Sequence, residues 1–475
     1  MNIYSIIVLL YFLLIVSISF VTKKIAQRSS ADYLIAGRNL GTFVCAVVVS
    51  AEWLGGMSTI GISEKAFKTM TLQPILYNLA TATGMIIIGF TVAYHYRTRN
   101  VHTVSEMLKS IFGQEIASIS AFAFLIAYIV LSYVQLQTCA SVISPILKID
   151  WTLSVVISAL IITLYTYVGG MYALTITGIV HLVAMYFGLG VATIIGIYKV
   201  GGFVNLHNTL QNFGAPTNLY NPFSGNVSAA FSLLLGGVLG GMAGQASIQP
   251  IFSAKDPQTA KKAALLSGII VAPFGIMTGL LGLMARIGKF FDPSTIKGNE
   301  ALGTILTTPS FINPILGGIA LAGVIAAILS TVGPVNFAVV TIATKDIYQN
   351  FSKKGKDDSK ILKTAKNLVV LINLITIPLA LLLRNAILDT AYISYAIRGI
   401  GAIVIIFALY IKGLVTKTGV KLSFIGGVIV IFFCLLGKQM KWFDIDKTYG
   451  AIVSTLVFII LGYIWDKFVM KKSEK

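Results

Sequence analysis

Thirteen runs of about 20 predominantly apolar residues punctuate this chain, each long enough to cross the roughly 30 Å hydrocarbon core of a bilayer as a helix. They lie at 3–22, 41–62, 72–95, 115–147, 151–170, 174–199, 228–250, 263–288, 314–344, 365–384, 387–411, 420–437 and 448–466. Backbone groups in hydrocarbon have no water to bond, so runs of this length fold as helices. The expected fold class is an all-α polytopic membrane protein. Composition agrees: of 475 residues 56% are hydrophobic and 11% charged, against roughly a quarter charged in soluble domains. A soluble enzyme, a disordered protein and a nucleic-acid binder are excluded as classes. The net charge of +19 is the ordinary excess of Lys and Arg in cytoplasmic loops.

The loops test the count, because one miscounted helix scrambles the charge alternation. With the first loop cytoplasmic, that side collects 24 Lys/Arg and the other 11, and Arg398 falls within a span. The N-terminus is then expected outside and the C-terminus inside. No basic residue precedes the first run, whereas Lys23, Lys24 and Arg28 follow it, the pattern of a retained helix and not of a cleaved signal. The one extended polar linker is 349–360, and the short tails leave no room for an attached soluble domain. Cys45, Cys139 and Cys434 sit in apolar runs without metal or disulfide spacing.

Irregular backbone is tolerated in a membrane only where it lines a cavity, so interrupted spans are informative. The second span carries Ser50, Glu52, Trp53, Gly55, Gly56, Ser58 and Thr59 at its middle. The seventh carries Gly236, Gly237, Gly240, Gly241 and Gly244, then Gln245, Ser247, Gln249 and Pro250. These two lie five spans apart, and a five-helix unit followed by its copy sits upside down, the pattern that marks a secondary transporter's midplane site. Glu52 is the one acidic residue expected deep in a span, where a central charge costs about 2.5 to 3.5 kcal/mol. It can bind a cationic group, accept substrate hydrogen bonds, carry a proton or pair with a helix N-terminus. Arg398 can pair with Glu52, meet an anionic substrate or snorkel to the interface.

In the ninth span Ser330 and Thr331 offer adjacent hydroxyls, and the Ala327 carbonyl lies on the same face. Hydroxyl and carbonyl oxygens suit a hard cation such as sodium, although such pairs also bond back to their own helix. His181 reads as a buried core histidine, and the spans carry no pattern expected of an intramembrane enzyme.

The segments ADYLIAGRNLG, SAEWLGGMSTIG, HTVSEMLKSIFG, YTYVGGMYAL, QPIFSAKDPQTAKKA and AAILSTVGPVNFAVVTIATKDIY, in this order and spacing, resemble the sodium:solute symporter family. The resemblance implies a single transporter domain over 1–475 with the five-plus-five inverted-repeat (LeuT-like) fold. That places an extra helix at 3–22, repeats at 41–199 and 228–411, and two further helices at 420–466. It implies Na+ as coupling ion, held by the carbonyls of Ala46, Val49 and Ala327 and the hydroxyls of Ser330 and Thr331. A second sodium site found in some members needs side chains where this chain has Gly178, Gly333 and Pro334, so one sodium per cycle is expected. WLGG is similar to the WVGG of the choline transporter branch, where an aromatic cage holds a quaternary ammonium; that branch has a tryptophan where this chain has Gly244. The substrate site is expected at Ser50, Glu52, Trp53, Tyr133, Gln135, Gly244, Gln245 and Arg398, with Tyr128 and Gln137 as further lining. The expected function is sodium-driven inward symport of a small polar solute (organic cation, amino acid, carboxylate or sugar) across the cytoplasmic membrane. A sodium-independent facilitator or exchanger, a proton-coupled carrier using Glu52, and a transporter-like sensor are the alternatives.

Overall fold

The computed structural model describes residues 2–224, 226–352, 357–383 and 387–470. The middle of the polar linker, 353–356, lies outside the described residues. Among those described, the backbone is nearly all helical, and extended pairing is limited to one isolated bridge, Leu40 with Ala254.

The helices, in chain order, are α1 Ile3–Ala26, α2 Thr42–Trp53, α3 Ile62–Thr69, α4 Leu76–Phe90, α5 Gln114–Leu147, α6 Trp151–Val200, α7 Val227–Met242 and α8 Gln245–Phe252. Then follow α9 Pro257–Val271, α10 Phe274–Arg286, α11 Pro314–Ile342, α12 Asp358–Leu382, α13 Ile387–Tyr410, α14 Lys417–Gln439 and α15 Lys447–Ile464. Their starts are chemically marked. Asp150, Asp256, Asn313, Asp357, Thr416 and Asp446 each turn a side-chain oxygen back onto the first free N–H groups of the helix that follows.

Eleven elements among the described residues are long and apolar enough to cross a membrane, and α2 with the segment Met57–Thr69 forms a twelfth, bent by 56°. The 50-residue α6 spans about 75 Å at 1.5 Å per residue, more than twice the bilayer core. It is two crossings joined at Gly170, whose φ of 49° and ψ of −145° break the helix. A Cβ at that position would lie 2.6 Å from the Tyr33 ring, so the corner needs glycine for its backbone angle and for its space. Thirteen crossings result.

Two boundaries differ from expectation. The 263–288 span is interrupted at Ala272–Pro273, where proline removes a backbone donor. The helix of α11 does not stop near 344 but continues as a wide turn over Ala343–Tyr348, which carries Asp346 into the interior.

The centre of the bundle is α2, packed against α6, α8, α9 and α11, while α1 leans on α6 and α11 from outside and α14 pairs with α15 at the periphery. Leu13, Val21, Phe187 and Ile194 are exposed on outer helix faces, which in a bilayer meet lipid.

Candidate functional site

Regular bonding in α2 ends where the Leu54 N–H reaches the Ser50 carbonyl. The next three carbonyls, of Ala51, Glu52 and Trp53, are left without helical donors. Each meets a hydroxyl. Ser330 Oγ donates to the Ala51 carbonyl at 2.6 Å, Thr331 Oγ1 to that of Glu52 at 2.5 Å, and Ser58 Oγ to that of Trp53 at 2.9 Å. The Ala327 carbonyl lies 2.8 Å from Ser330 Oγ and 3.4 Å from Thr331 Oγ1. Five neutral oxygens from two helices thus converge at the break. The approach is close because residue 55 is glycine: a Cβ there would stand 2.0 Å from Thr331 Oγ1.

The structure places the expected ion ligands of α2 away from the opening of that helix. Ala46 and Val49 lie within the regular part of α2, and the Ala46 carbonyl also accepts from Ser50 Oγ at 2.7 Å. The freed carbonyls next to Ser330 and Thr331 are those of Ala51 and Glu52, because the helix holds its bonds until Trp53 and opens only at Leu54–Gly56. Ala327, Ser330 and Thr331 are placed together as expected. Oxygen-only donors in a buried pocket fit a sodium ion.

The seventh span is broken between Met242 and Gln245. Arg398 fills the space beside this break. Its guanidinium is fully buried, so it does not snorkel; Nη1 donates to the Tyr128 hydroxyl at 3.1 Å. The rings of Tyr395, Tyr128 and Trp53 lie 4.2, 5.4 and 5.8 Å from it. A Cβ at Gly244 would sit 3.0 Å from Nη1, so the residue that is aromatic in the choline branch is absent here to admit the arginine. Tyr77 and Tyr395 stack and share a 2.7 Å hydrogen bond, with Tyr392 against both. Glu52 makes no ion pair with Arg398 among the described residues. Its Oε2 is buried without a partner, and the side chain borders a small cavity with Val48, Gln249, Pro334 and Phe337.

The remaining expected residues divide. Gln135 reaches Met57 Sδ at 3.3 Å and faces the α2 break at Gly56. Tyr133 is buried. Ser50 turns onto its own helix and toward the Ser267 carbonyl of α9. Gln137 donates to the carbonyls of Ala380 and Leu383, tying α5 to the end of α12. His181 is buried against Tyr11, with Nδ1 2.5 Å from the hydroxyl. Gly178 packs on Val48 and Gly333 on Tyr165, so neither position brings a side-chain oxygen.

Gln245 does not line the Arg398 chamber. Its Oε1 accepts from the Val104 N–H at 2.9 Å, and its Nε2 donates to the His102 carbonyl at 2.8 Å. It fastens the broken seventh span to the basic-side loop at 99–103. Nearby, Thr103 Oγ1 donates to buried Asp346 at 2.8 Å and the His102 N–H to Glu106 at 2.6 Å; burial holds the His102 imidazole below its usual range against the pull of Glu106. Leu40 and the segment at Ser253–Lys255 exchange two backbone bonds of 3.0 Å. These contacts tie together the segments at the basic face. Gln245→Ala removes two hydrogen bonds and strands a buried N–H, about 2 kcal/mol or more. Deuterium exchange of the 102–106 segment is expected to rise at least about 30-fold; unchanged exchange there rejects Gln245 as the fastening.

Tyr77, Tyr392, Tyr395 and Asp346 were not anticipated. Tyr395 had a signal, three residues before Arg398 on one helical face.

The family model described as the sodium:solute symporter family matches residues 33–427. A sodium/proline symporter of Staphylococcus aureus is 23% identical over 488 aligned residues, covering 98% of this chain and 93% of the relative. Among solved structures, a Na+-coupled sialic acid symporter in a substrate-bound outward-open state superposes with TM-score 0.84 at 16% identity, covering 98% of this chain and 97% of that one. A nucleobase-cation-symport-1 family transporter in a closed conformation gives TM-score 0.58 at 14% identity over 92% of this chain and 95% of that one. The fold is the LeuT-like inverted repeat of these transporters, and the local WLGG similarity to the choline branch gains no support from them. With the family model spanning most of its length, the chain belongs to the sodium:solute symporter family.

Proposed function

We propose that this protein couples one sodium ion per cycle to inward movement of a small polar solute by alternating access. The observation that carries the ion assignment is the five-oxygen cluster at the α2 break, formed by the carbonyls of Ala51, Glu52 and Ala327 with the hydroxyls of Ser330 and Thr331. Sodium there bridges α2 and α11, so it favours the conformation in which these helices touch. The solute binds at the cluster of Trp53, Tyr128, Tyr395 and Arg398, next to Glu52. The two repeats are assigned to 41–199 and 228–411. The basic face is cytoplasmic, the N-terminus external and the C-terminus cytoplasmic, in line with the excess of Lys and Arg on that side.

The test is uptake into proteoliposomes of labelled solutes, L-proline first because a relative carries that name, under an inward sodium or potassium gradient. Uptake that needs sodium is the expected result. Glu52→Gln distinguishes the proton-coupled alternative: sodium dependence is expected to persist, with solute affinity lowered about 10-fold by loss of one charged hydrogen-bond acceptor. Sodium-independent uptake whose pH dependence disappears in Glu52→Gln overturns the sodium reading.

A further inference from the structure

The side chains packed beside the seventh-span break include several buried donors that have nothing to donate to. Nε and Nη2 of Arg398 meet no acceptor, nor does Nε1 of Trp53. The Tyr128 oxygen accepts from Arg398 Nη1 and from the Ala246 N–H, both at 3.1 Å. Both lone pairs are therefore engaged, and the phenolic proton is left to donate. Four donors thus share one aromatic box, and one of the groups carries a full charge.

A buried guanidinium is costly unless countered by an anion. The ring faces of Tyr395, Tyr128 and Trp53 offset part of that cost. No carboxylate among the described residues pairs with it, and Glu52, the acidic side chain on the neighbouring helix, makes no ion pair with it. Among the described residues the guanidinium therefore has no carboxylate within ion-pair distance, and Glu52 attracts it only from farther away.

We propose that the transported solute carries a carboxylate, and that this carboxylate is the missing counter-ion of Arg398. The inference rests on the symporter reading above and names the chemical class of its solute. The Nε–Nη2 edge of a guanidinium presents two parallel N–H groups matched in spacing to the two oxygens of a carboxylate. The Tyr128 hydroxyl and the unpartnered Trp53 indole N–H belong to rings packed around the same guanidinium. A planar group also suits a box walled by flat rings, and a single negative charge balances a single guanidinium. On the face opposite the basic loops, a cleft of about 460 Å³ meets the box at Tyr392, with Lys65, Lys438 and Lys447 on its walls beside Asp389 and Asp446. Tyr395 packs between Tyr392 of this cleft and Arg398.

The experiment is thermal unfolding of the purified full-length protein in sodium or potassium chloride with matched pairs of ligands. The pairs are L-proline and L-prolinamide, pantothenate and panthenol, N-acetylneuraminate and its methyl ester, and L-lactate and lactamide, with glucose and choline as non-acids. Binding to the folded state raises its stability in proportion to ln(1 + [L]/Kd). The expected result is sodium-dependent stabilisation by at least one acid, with its partner lacking the carboxylate bound at least about 100-fold more weakly, as for a lost charged hydrogen bond. Arg398→Gln is expected to abolish binding of that acid and Arg398→Lys to keep part of it. Should Arg398→Gln fail to fold, the acid-against-amide comparison on the unaltered protein decides alone. Equal binding of an acid and its partner lacking the carboxylate, or sodium-dependent binding of glucose or choline with every acid inert, overturns the carboxylate assignment and leaves the symporter reading standing. Stabilisation by sodium over potassium with no solute effect at all also counts against the assignment. No sodium-specific stabilisation of any kind overturns both.

Discussion

Replacing Ser330 and Thr331 together by alanine is expected to erase the difference between sodium and potassium in the thermal stability of the purified protein. Each hydroxyl offered to a cation contributes about 1.5 to 3 kcal/mol. Losing two therefore weakens sodium binding by at least about 100-fold, at 1.4 kcal/mol per decade. The fold itself loses less. The Ala51 and Glu52 carbonyls forfeit their hydroxyl donors, but they stand at an unwound segment where water can replace them. The signature is a protein that still unfolds cooperatively with the same midpoint in both salts, and direct binding of radioactive sodium provides the second readout. A double variant that keeps the sodium-specific shift removes these hydroxyls from the ion site. Swapping the carbonyl pair is not open to side-chain substitution, which is why the hydroxyls carry the test.

Gly55→Ala is expected to have the larger structural effect. The added methyl would stand 2.0 Å from Thr331 Oγ1 and 2.6 Å from Thr331 Cβ. Threonine is stiff about its first side-chain bond, so rotation of the hydroxyl does not relieve the contact with Cβ and the two helices must separate. Overpacking of this kind typically costs about 1 to 3 kcal/mol. Because the separation occurs at the oxygen cluster, sodium affinity falls with it even though every ligand atom is still encoded. Gly41→Ala serves as control, since a methyl there meets nothing within 4 Å. A Gly55→Ala protein with unaltered melting temperature and sodium response would show that α2 and α11 do not need to touch at this point.

The parts that were readable in the sequence are those that the membrane penalises. Glycine and polar residues at 50–59 and 236–250 conflict with a hydrocarbon-embedded helix, and both spans are indeed broken there. Ser330 and Thr331 were readable as a hydroxyl pair on the face that turns to the first break. The breakpoint itself was not: whether α2 opens after Val49 or after Trp53 depends on contacts with α11, which local sequence does not encode. The hydrogen-bond partners of Gln245 were not readable for a related reason. It follows the glycines of the seventh span, but its partners are the backbone at 102–104, far away in sequence. The surroundings of Arg398 come from α2, α4, α5 and α13, and of these rings only Tyr395 was within helical reach along the chain. Asp346 lies just past the end expected for the ninth span at 344, whereas the helix continues and buries it.

The short bridge between Leu40 and Ala254 joins the segment leading into α2 to the one leaving α8. Both discontinuous spans are thereby clamped at the same end, like two levers on one pin. While the pin holds, neither lever can shift at the basic face without loading the other. Cutting it would leave each lever to move by itself.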